Sequence, residues 1–231
     1  MYNNMLICCF CSEGRATFLE NEILHAALRC PLCGEALAAV GASLVCGGVR
    51  RHTYDMARAG YVNLNTHLPQ SGDTAEMAAA RQTFLRNGYY APLADALTRL
   101  ALAHAPGTSL LCDAGCGEGY YTEAVGEKFA AVLGADLSKY ALALAGKRAK
   151  RAGLAGKLLY ATASVYALPL ADNTCDCVMS VFAPIAADEA FRVLKPGGIL
   201  LTAAAGRDHL TELKAVLYDT VIPNDTRRDF P

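Results

Sequence analysis

Residues 110–122 read Leu-Leu-Cys-Asp-Ala-Gly-Cys-Gly-Glu-Gly-Tyr-Tyr-Thr, and this stretch decides the fold. A short apolar run ends in Asp113, three glycines follow at alternate positions (Gly115, Gly117 and Gly119), and a helix-compatible segment begins at Tyr120. Glycine tolerates positive φ and has no side chain to block a ligand, so the backbone can turn sharply and approach a bound molecule. Nucleotide folds place such a turn after the first strand of a parallel sheet. The dinucleotide fingerprint is G-x-G-x-x-G, aimed at a pyrophosphate. The D-x-G-x-G-x-G found here instead suits a ligand that carries an ammonium group and no phosphate. A second acid is then expected to close the next strand and hold ribose hydroxyls. Asp136 does so at the end of Ala-Val-Leu-Gly-Ala-Asp, seventeen residues after Gly119. A tight turn in some other α/β protein is the plainer alternative.

Outward from this turn, strand and helix patterns alternate. A helix is predicted from Tyr120, a strand over 131–136, a helix to Lys150 and a weak strand over 157–161. A loop over 162–174 contains Leu168-Pro169-Leu170, and a strand follows over 175–181. Lys195-Pro196-Gly197-Gly198 predicts a turn before a strand over 199–204, and helix resumes over 208–218. This order gives a parallel sheet with helices on both faces and ligands at the carboxyl ends of its strands. Upstream, residues 65–72 read as a loop with Pro69 and Gly72. Asp73 then reads as a helix N-cap, with Glu76 completing a capping box. Met77, Ala80 and Phe84 fall on one face of that helix, and Gly88 ends it. A further helix starts at Pro92 with Leu93, Leu97 and Leu100 in register, and stops before Pro106-Gly107.

The chain is 53% hydrophobic and 19% charged, enough to build a core and too apolar for disorder. No apolar run approaches the ~18 residues of a membrane span. Residues 1–11 lack a basic leader, so a cytoplasmic protein is expected. A net charge of −1 neither favours nor excludes an RNA partner. Lys147, Arg148, Lys150 and Arg151 cluster where cations suit a helix C-terminus, and a solvated helix end explains them.

Ten cysteines are present, and six of them fall in the first 46 residues. Cys30-Pro-Leu-Cys33-Gly is a metal knuckle, in which glycine relaxes the turn so that N–H groups can face the sulfurs. Cys46 supplies a third thiolate and His52 a fourth ligand, giving C-x2-C-x12-C-x5-H, a set suited to structural Zn²⁺. A Cys₄ site pairing Cys8 and Cys11 with Cys30 and Cys33 ranks below it, and Cys9 has no assigned role. Residues 1–29 read as a poorly ordered extension. Cys112, Cys116, Cys175 and Cys177 read as small buried hydrophobes.

The glycine motif resembles the first motif of class I S-adenosylmethionine-dependent methyltransferases. The run from Cys30 to Tyr218 resembles, more narrowly, the 23S rRNA (guanine-N1)-methyltransferases. The carriers are Cys30-Pro-Leu-Cys33, Asp55-Met56-Ala57 with Gly60-Tyr61-Val62-Asn63-Leu64, and Gly72-Asp73-Thr74-Ala75-Glu76-Met77. Further on come Phe84-Leu85, Tyr90-Ala91-Pro92-Leu93, Phe182-Ala183-Pro184, Val193-Leu194-Lys195-Pro196-Gly197-Gly198 and His209-Leu210. The resemblance implies an α/β fold: a zinc module over 30–64, a helical linker over 65–107 and a Rossmann-like S-adenosylmethionine-binding domain over 108–231. It implies methyl transfer to N1 of a guanine in a hairpin loop of 23S rRNA, with a second copy of the chain as a candidate partner. Cofactor contacts carry over to Tyr90, the Glu118-Gly119 turn and His209, beside Asp113, Gly115, Gly117 and Asp136. Ser164 stands where many class I enzymes place an Asp that accepts from the adenine amino group. Two further strands normally follow the fifth, so that strand is expected as an unpaired edge. The guanine pocket is expected at 181–184, a segment without a titratable side chain, and no catalytic base is assigned. The competing reading is a truncated non-catalytic paralogue that binds RNA or a partner through its zinc end. A dinucleotide oxidoreductase is disfavoured by the glycine spacing.

Overall fold

A computed structural model of the chain describes residues 21–66, 73–184 and 186–224. Cys8, Cys9, Cys11, Pro69 and Gly72 lie outside the described residues. Buried apolar strands alternate with helices, and the result is a six-stranded parallel sheet. Its strands, in chain order, are β4 (Tyr61–Asn63), β5 (Leu110–Ala114), β6 (Ala131–Asp136), β7 (Leu158–Thr162), β8 (Cys175–Val181) and β9 (Leu194–Ala203). The spatial order is β4-β7-β6-β5-β8-β9, and every pairing is parallel. β5 to β8 are buried along almost their whole length, as strands covered on both faces must be. The chain runs outward to one side through β6 and β7, then crosses to the other side of β5 at β8. The carboxyl ends of β5 and β8 therefore border the switch point where ligands bind in such sheets.

One face of the sheet is covered by α3 (Ala91–His104), α4 (Tyr120–Gly126) and α5 (Lys139–Arg151), which bury Leu97, Ala101, Val125, Leu142 and Ala145. The other face carries α6 (Ala187–Val193) and the N-terminal module. That module opens with α1 (Glu22–Ala27), capped by the Asn21 side chain, which accepts from the N–H groups of Ile23 and Leu24. It continues as an antiparallel three-stranded sheet of β1 (Leu37–Val40), β2 (Ser43–Cys46) and β3 (Thr53–Asp55). Leu24, Leu28, Leu37 and Leu44 are fully buried and belong to the same core as Leu110, Leu133 and Leu159 of the large sheet. The expected extension over 1–29 thus gives way at residue 21 to an ordered, docked helix. Its two buried leucines at i and i+4 are too short a pattern to announce one.

Two main-chain seams hold the module in place. Arg29 N–H donates to the Pro169 carbonyl at 2.9 Å, and Ala171 N–H to the Ala27 carbonyl at 2.8 Å. On the far side β4 joins the large sheet beside β7, and the Thr162 hydroxyl bonds to the Asn63 side chain. This three-residue strand carries too little alternation to be read as sheet from sequence. Beside it the turn before β4 meets α5 backbone to backbone. A Cβ built on Gly146 would lie 2.6 Å from the carbonyl oxygens of Ala59 and Gly60, so only glycine fits there.

Other departures have local causes. The N-cap of α2 (Ala75–Phe84) is Thr74, not Asp73: the extended Thr74 accepts from Met77 N–H, and Asp73 pairs with Arg81 at 3.1 Å. Ala78 is the buried residue of α2, while Met77 and Phe84 are half-exposed. A π-helical turn, Leu85–Tyr89, links α2 to α3 and contains Gly88 at φ 85°. The expected turn at Lys195-Pro196-Gly197-Gly198 is absorbed into β9 with a register shift against Cys175 and Cys177. There Lys195 donates to Asp176, whose other oxygen accepts from the N–H groups of Ser109 and Leu110. Among the described residues β4 and β9 are the two edges of the sheet, and the last described helix is α7 (Thr211–Leu217). Among the described residues no helix is long and apolar enough to cross a membrane.

Gly146→Val should destabilise the protein by about 1–3 kcal/mol, the usual cost of overpacking. Chemical denaturation measures this. An unchanged midpoint would mean that the zinc module and α5 part freely at this contact.

Candidate functional site

The glycine turn between β5 and α4 is shaped by β6. Gly115 and Cys116 both donate N–H to the Ala135 carbonyl, at 2.8 and 3.0 Å. Gly117 N–H donates to Asp136 Oδ2 at 2.8 Å, and Asp136 Oδ1 accepts from Ser138 N–H at 2.7 Å. Gly117 has φ 53° and nothing within 4 Å of where a Cβ would stand, so it presents bare backbone to open space. Gly119 is glycine for a different reason: a Cβ there would lie 2.2 Å from the Tyr160 hydroxyl. Tyr160 is fully buried and also presses on Gly134, where a Cβ would sit 2.6 Å from its ring.

This turn forms one wall of a cavity of about 600 Å³ at the carboxyl ends of the strands, within the usual range for small-molecule sites. Of the residues expected to contact a cofactor, Tyr90, Asp113, Gly115, Gly117, Glu118 and Asp136 line it. Gly119 packs behind the turn, and His209 stacks on Phe182 rather than reaching the cavity wall. Ser164 lines the cavity, with its hydroxyl accepting from Tyr166 N–H at 3.1 Å. A further wall is Val181, Phe182, Ala183 and Pro184, the segment expected to receive a guanine, which meets the glycine turn where Gly115 abuts Ala183.

The acids are unusual. Asp113 is buried, with Oδ2 accepting from the Thr122 hydroxyl at 2.6 Å and Oδ1 without a partner. Burial pushes its carboxyl up to about 7, against the lowering effect of Thr122. Burial also raises Asp136, although the N–H groups of Ser138 and Gly117 pull it down. Glu118 is buried, its Oε1 is without a partner, and burial raises it against the pull of Arg148 and Arg86. Unsatisfied buried carboxylate oxygens are costly. Two such acids among the residues of one cavity wall fit a ligand that brings positive charge, such as the sulfonium and ammonium of S-adenosylmethionine. Asp136 keeps a free lone pair on each oxygen for a hydroxyl donor.

Sequence reasoning missed the aromatic side of the cavity. Phe84, Tyr120, Tyr121 and Tyr166 line it beside Tyr90 and Phe182. Tyr90 meets Phe84 and Phe182 edge-on, with ring centroids 5.9 and 5.8 Å away. Phe182 is 47% exposed and holds φ 53°, a conformation that bulky residues adopt only when constrained. Its N–H bonds to the Ala203 carbonyl of β9 at 2.8 Å, which fixes that conformation. The run Phe-Ala-Pro after a buried strand was the available signal.

The second cluster lies in the N-terminal module. Cys30, Cys33, Cys46 and His52 place their ligand atoms within 4.8 Å of one another. Cys33 Sγ is 3.3 Å from Cys46 Sγ, and His52 Nδ1 is 3.4 Å from Cys30 Sγ and 3.5 Å from Cys33 Sγ. The edges of a tetrahedral zinc site with ordinary bond lengths are roughly 3.6–3.8 Å, so the donors stand within a few tenths of ligating geometry. Gly48 N–H donates to Cys46 Sγ at 3.2 Å, and the Tyr54 hydroxyl lies 3.1 Å from Cys30 Sγ. Such outer contacts orient metal ligands. The donor set fits one structural zinc ion, with no position left for substrate.

Comparison with known proteins agrees with this geometry. A family model described as a methyltransferase domain matches residues 112–202, and one described as the N-terminal zinc ribbon of RlmA matches residues 28–69. A solved S-adenosyl-L-methionine-dependent methyltransferase of Methanococcus maripaludis shares the fold, with a TM-score of 0.51 and 19% identity over 66% of this chain and 74% of that one. The fold and cavity thus define a methyltransferase that uses S-adenosylmethionine and carries a structural zinc ribbon.

Curated relatives narrow the class. A protein of Micromonospora griseorubida named as a 23S rRNA (guanine-N1)-methyltransferase is 39% identical over 207 residues, 80% of this chain and 68% of the relative. Bacillus subtilis YxjB, of the same name, is 36% identical over 87% of this chain and 72% of its own. The chain belongs to the 23S rRNA (guanine-N1)-methyltransferase family.

Two outcomes are expected. Asp113 keeps its proton in the folded chain up to about pH 7, whereas an unfolded Asp loses it near ~3.9. Its contribution is therefore fully present below about pH 4 and lost as pH rises through about 7. In ligand-free protein, wild type should lose up to about 4 kcal/mol more stability than Asp113→Asn between about pH 4 and 8. Urea denaturation across that range measures the difference, and parallel curves would show that Asp113 titrates normally. Separately, stripping zinc should lower the melting temperature of the whole chain in one transition, because Cys30 and Cys46 share the core of the large sheet. Calorimetry with and without chelator tests this. An unshifted main transition would contradict the shared core.

Proposed function

We propose that this chain transfers the methyl group of S-adenosylmethionine to N1 of a guanine in a hairpin loop of 23S rRNA. The single observation that carries the reading is the cavity itself. An acid-led glycine turn with two unpaired buried carboxylate oxygens faces a wall, 181–184, that carries an exposed aromatic ring and no titratable group. Family membership supplies the base and the RNA.

In this reading the donor brings a methyl group on a sulfonium, already activated for displacement. The chain's own work is then to bind and align. Asp113 and Glu118 supply negative charge beside the donor's cationic groups, Asp136 holds its ribose hydroxyls, and the bare backbone at Gly117, beside Gly115, lets it approach closely, with Gly119 seating the turn against Tyr160 from behind. Tyr90 and His209 act around Phe182 on the other side. Alignment of N1 with the methyl carbon is worth as much as ~7–11 kcal/mol in favourable systems. The N1–C bond forms as the S–C bond breaks, and the N1 proton must leave before or during attack. A hairpin loop lets the guanine leave its stack at small cost, and the Phe182 ring offers it a face to stack on. Cys30, Cys33, Cys46 and His52 hold zinc as a structural ion. The functional units are the zinc module over 30–64, the helical segment over 65–107 and the methyltransferase domain from 108 on, with a second copy of the chain as partner.

Incubation with unmodified 23S rRNA and labelled donor should label one guanine at N1, and mapping of the nucleotide identifies it. Phe182→Ala should lower kcat/KM for RNA by roughly 5- to 100-fold, the worth of one base stack, with donor affinity unchanged. Donor binding without any RNA methylation would favour a non-catalytic RNA-binding paralogue.

A further inference from the structure

Arg148 reads from sequence as one cation in a solvated helix end, yet the structure turns it inward. From the last turns of α5, its Nη1 lies 2.9 Å from Glu118 Oε2 as an ion pair, and its Nη2 donates to the Glu118 main-chain carbonyl. Its Nε donates to Glu123 Oε1 at 2.7 Å, and Nη2 reaches the same carboxylate at 2.7 Å. One planar fork thus pairs by charge with the carboxylate of the residue that lines the cavity and hydrogen-bonds its carbonyl and an acid on α4. Lysine, a single point charge, cannot span all three.

Glu118 is the junction. Arg86 Nη2 stands 3.8 Å from its Oε2 and 3.0 Å from Glu123 Oε2, and Gln82 donates to Oε2 at 3.4 Å. These two come from α2 and the π-helical turn, the segment that also brings Phe84 to the cavity. All of these contacts fall on one oxygen of Glu118 or on its backbone, and the other oxygen is left buried and unpaired. Tyr160 of β7 also packs against Gly119, so the Glu118-Gly119 pair is seated by both α5 and β7.

We infer that Arg148 is a positioning residue for the methyl donor, acting through Glu118: it fixes the turn that lines the cavity and keeps the buried carboxylate behind that turn charged, beside the donor's cationic end. The inference rests on the donor occupying this cavity. The groups facing Glu118 are Arg148 on α5, Arg86 and Gln82 on the segment before α3, and Glu123 on α4. Burial and Glu123 favour the neutral acid, while Arg148, Arg86 and Gln82 oppose them. Without Arg148 the balance moves toward the protonated acid, which does not attract a cation. Asp113 titrates in wild type and variant alike, so the effect of Arg148 is the additional pH dependence that appears on its removal.

Calorimetric titration with S-adenosylhomocysteine, which keeps the ammonium, tests this over about pH 6 to 8.5. Wild-type protein should bind, and its failure to do so would count against the cavity assignment rather than against Arg148. Arg148→Met should weaken binding on the order of 10- to 100-fold, the range that charge-assisted hydrogen bonds support, with the deficit growing as pH falls. Arg148→Lys should fall between the two, and it serves as the folded variant should Arg148→Met not fold. In Glu118→Gln/Arg148→Met the added pH dependence should vanish. Binding by Arg148→Met and Arg148→Lys within twofold of wild type at every pH overturns the inference. So does a deficit that is independent of pH and of the residue at 118, which would mark Arg148 as merely structural.

Discussion

The structure depends on the hydrogen bonds by which β6 dictates the shape of the turn after β5. Ala135 accepts from Gly115 and Cys116, and Asp136 accepts from Gly117 and Ser138. A loop of alternate glycines is entropically expensive to order, and these bonds specify its path. The same bonds pull the turn to the carboxyl edge of the sheet and open the space in front of it. Asp136 therefore serves the protein before it serves any ligand: its carboxylate caps the turn and the entry to α5, and only its remaining lone pairs face outward.

The zinc ribbon is not an appendage on this frame. Its first helix, its knuckle and the last of its strands each contact a different part of the large sheet, and its leucines lie in a common core. A zinc module of this size needs its metal to fold. The loop over 164–172 lies beside the knuckle at one end and lines the cavity at the other.

What could be read from sequence was whatever repeats with a period or carries distinctive chemistry. Strands over 131–136 and 175–181 were readable to the residue because apolar runs end there in an acid or a turn. The Cys30, Cys33, Cys46 and His52 set was readable because thiolates at knuckle spacing have few other uses. β4 was not, since three residues carry no period and its partner β7 is nearly a hundred positions away. Nor was α1, or the one-residue displacement of the α2 cap from Asp73 to Thr74, where two good capping residues stand side by side. Arg148 was misjudged because helix-end cations are ordinary, and only the approach of α4 and the glycine turn gives it buried partners. The left-handed backbone at Phe182 is likewise imposed by β9, a neighbour that local sequence does not name.

Tyr160 sets a condition on how this family of sequences can drift. Its ring fills the space that a methyl group at either Gly119 or Gly134 would need. Three positions on three different segments are therefore tied together. An alanine can enter at 134 only in a lineage that has first given up the tyrosine for something smaller, and at 119 the φ of 82° would strain it even then. The bare backbone that a ligand meets in the cavity is in this sense guarded from behind, by the bulk of one phenol.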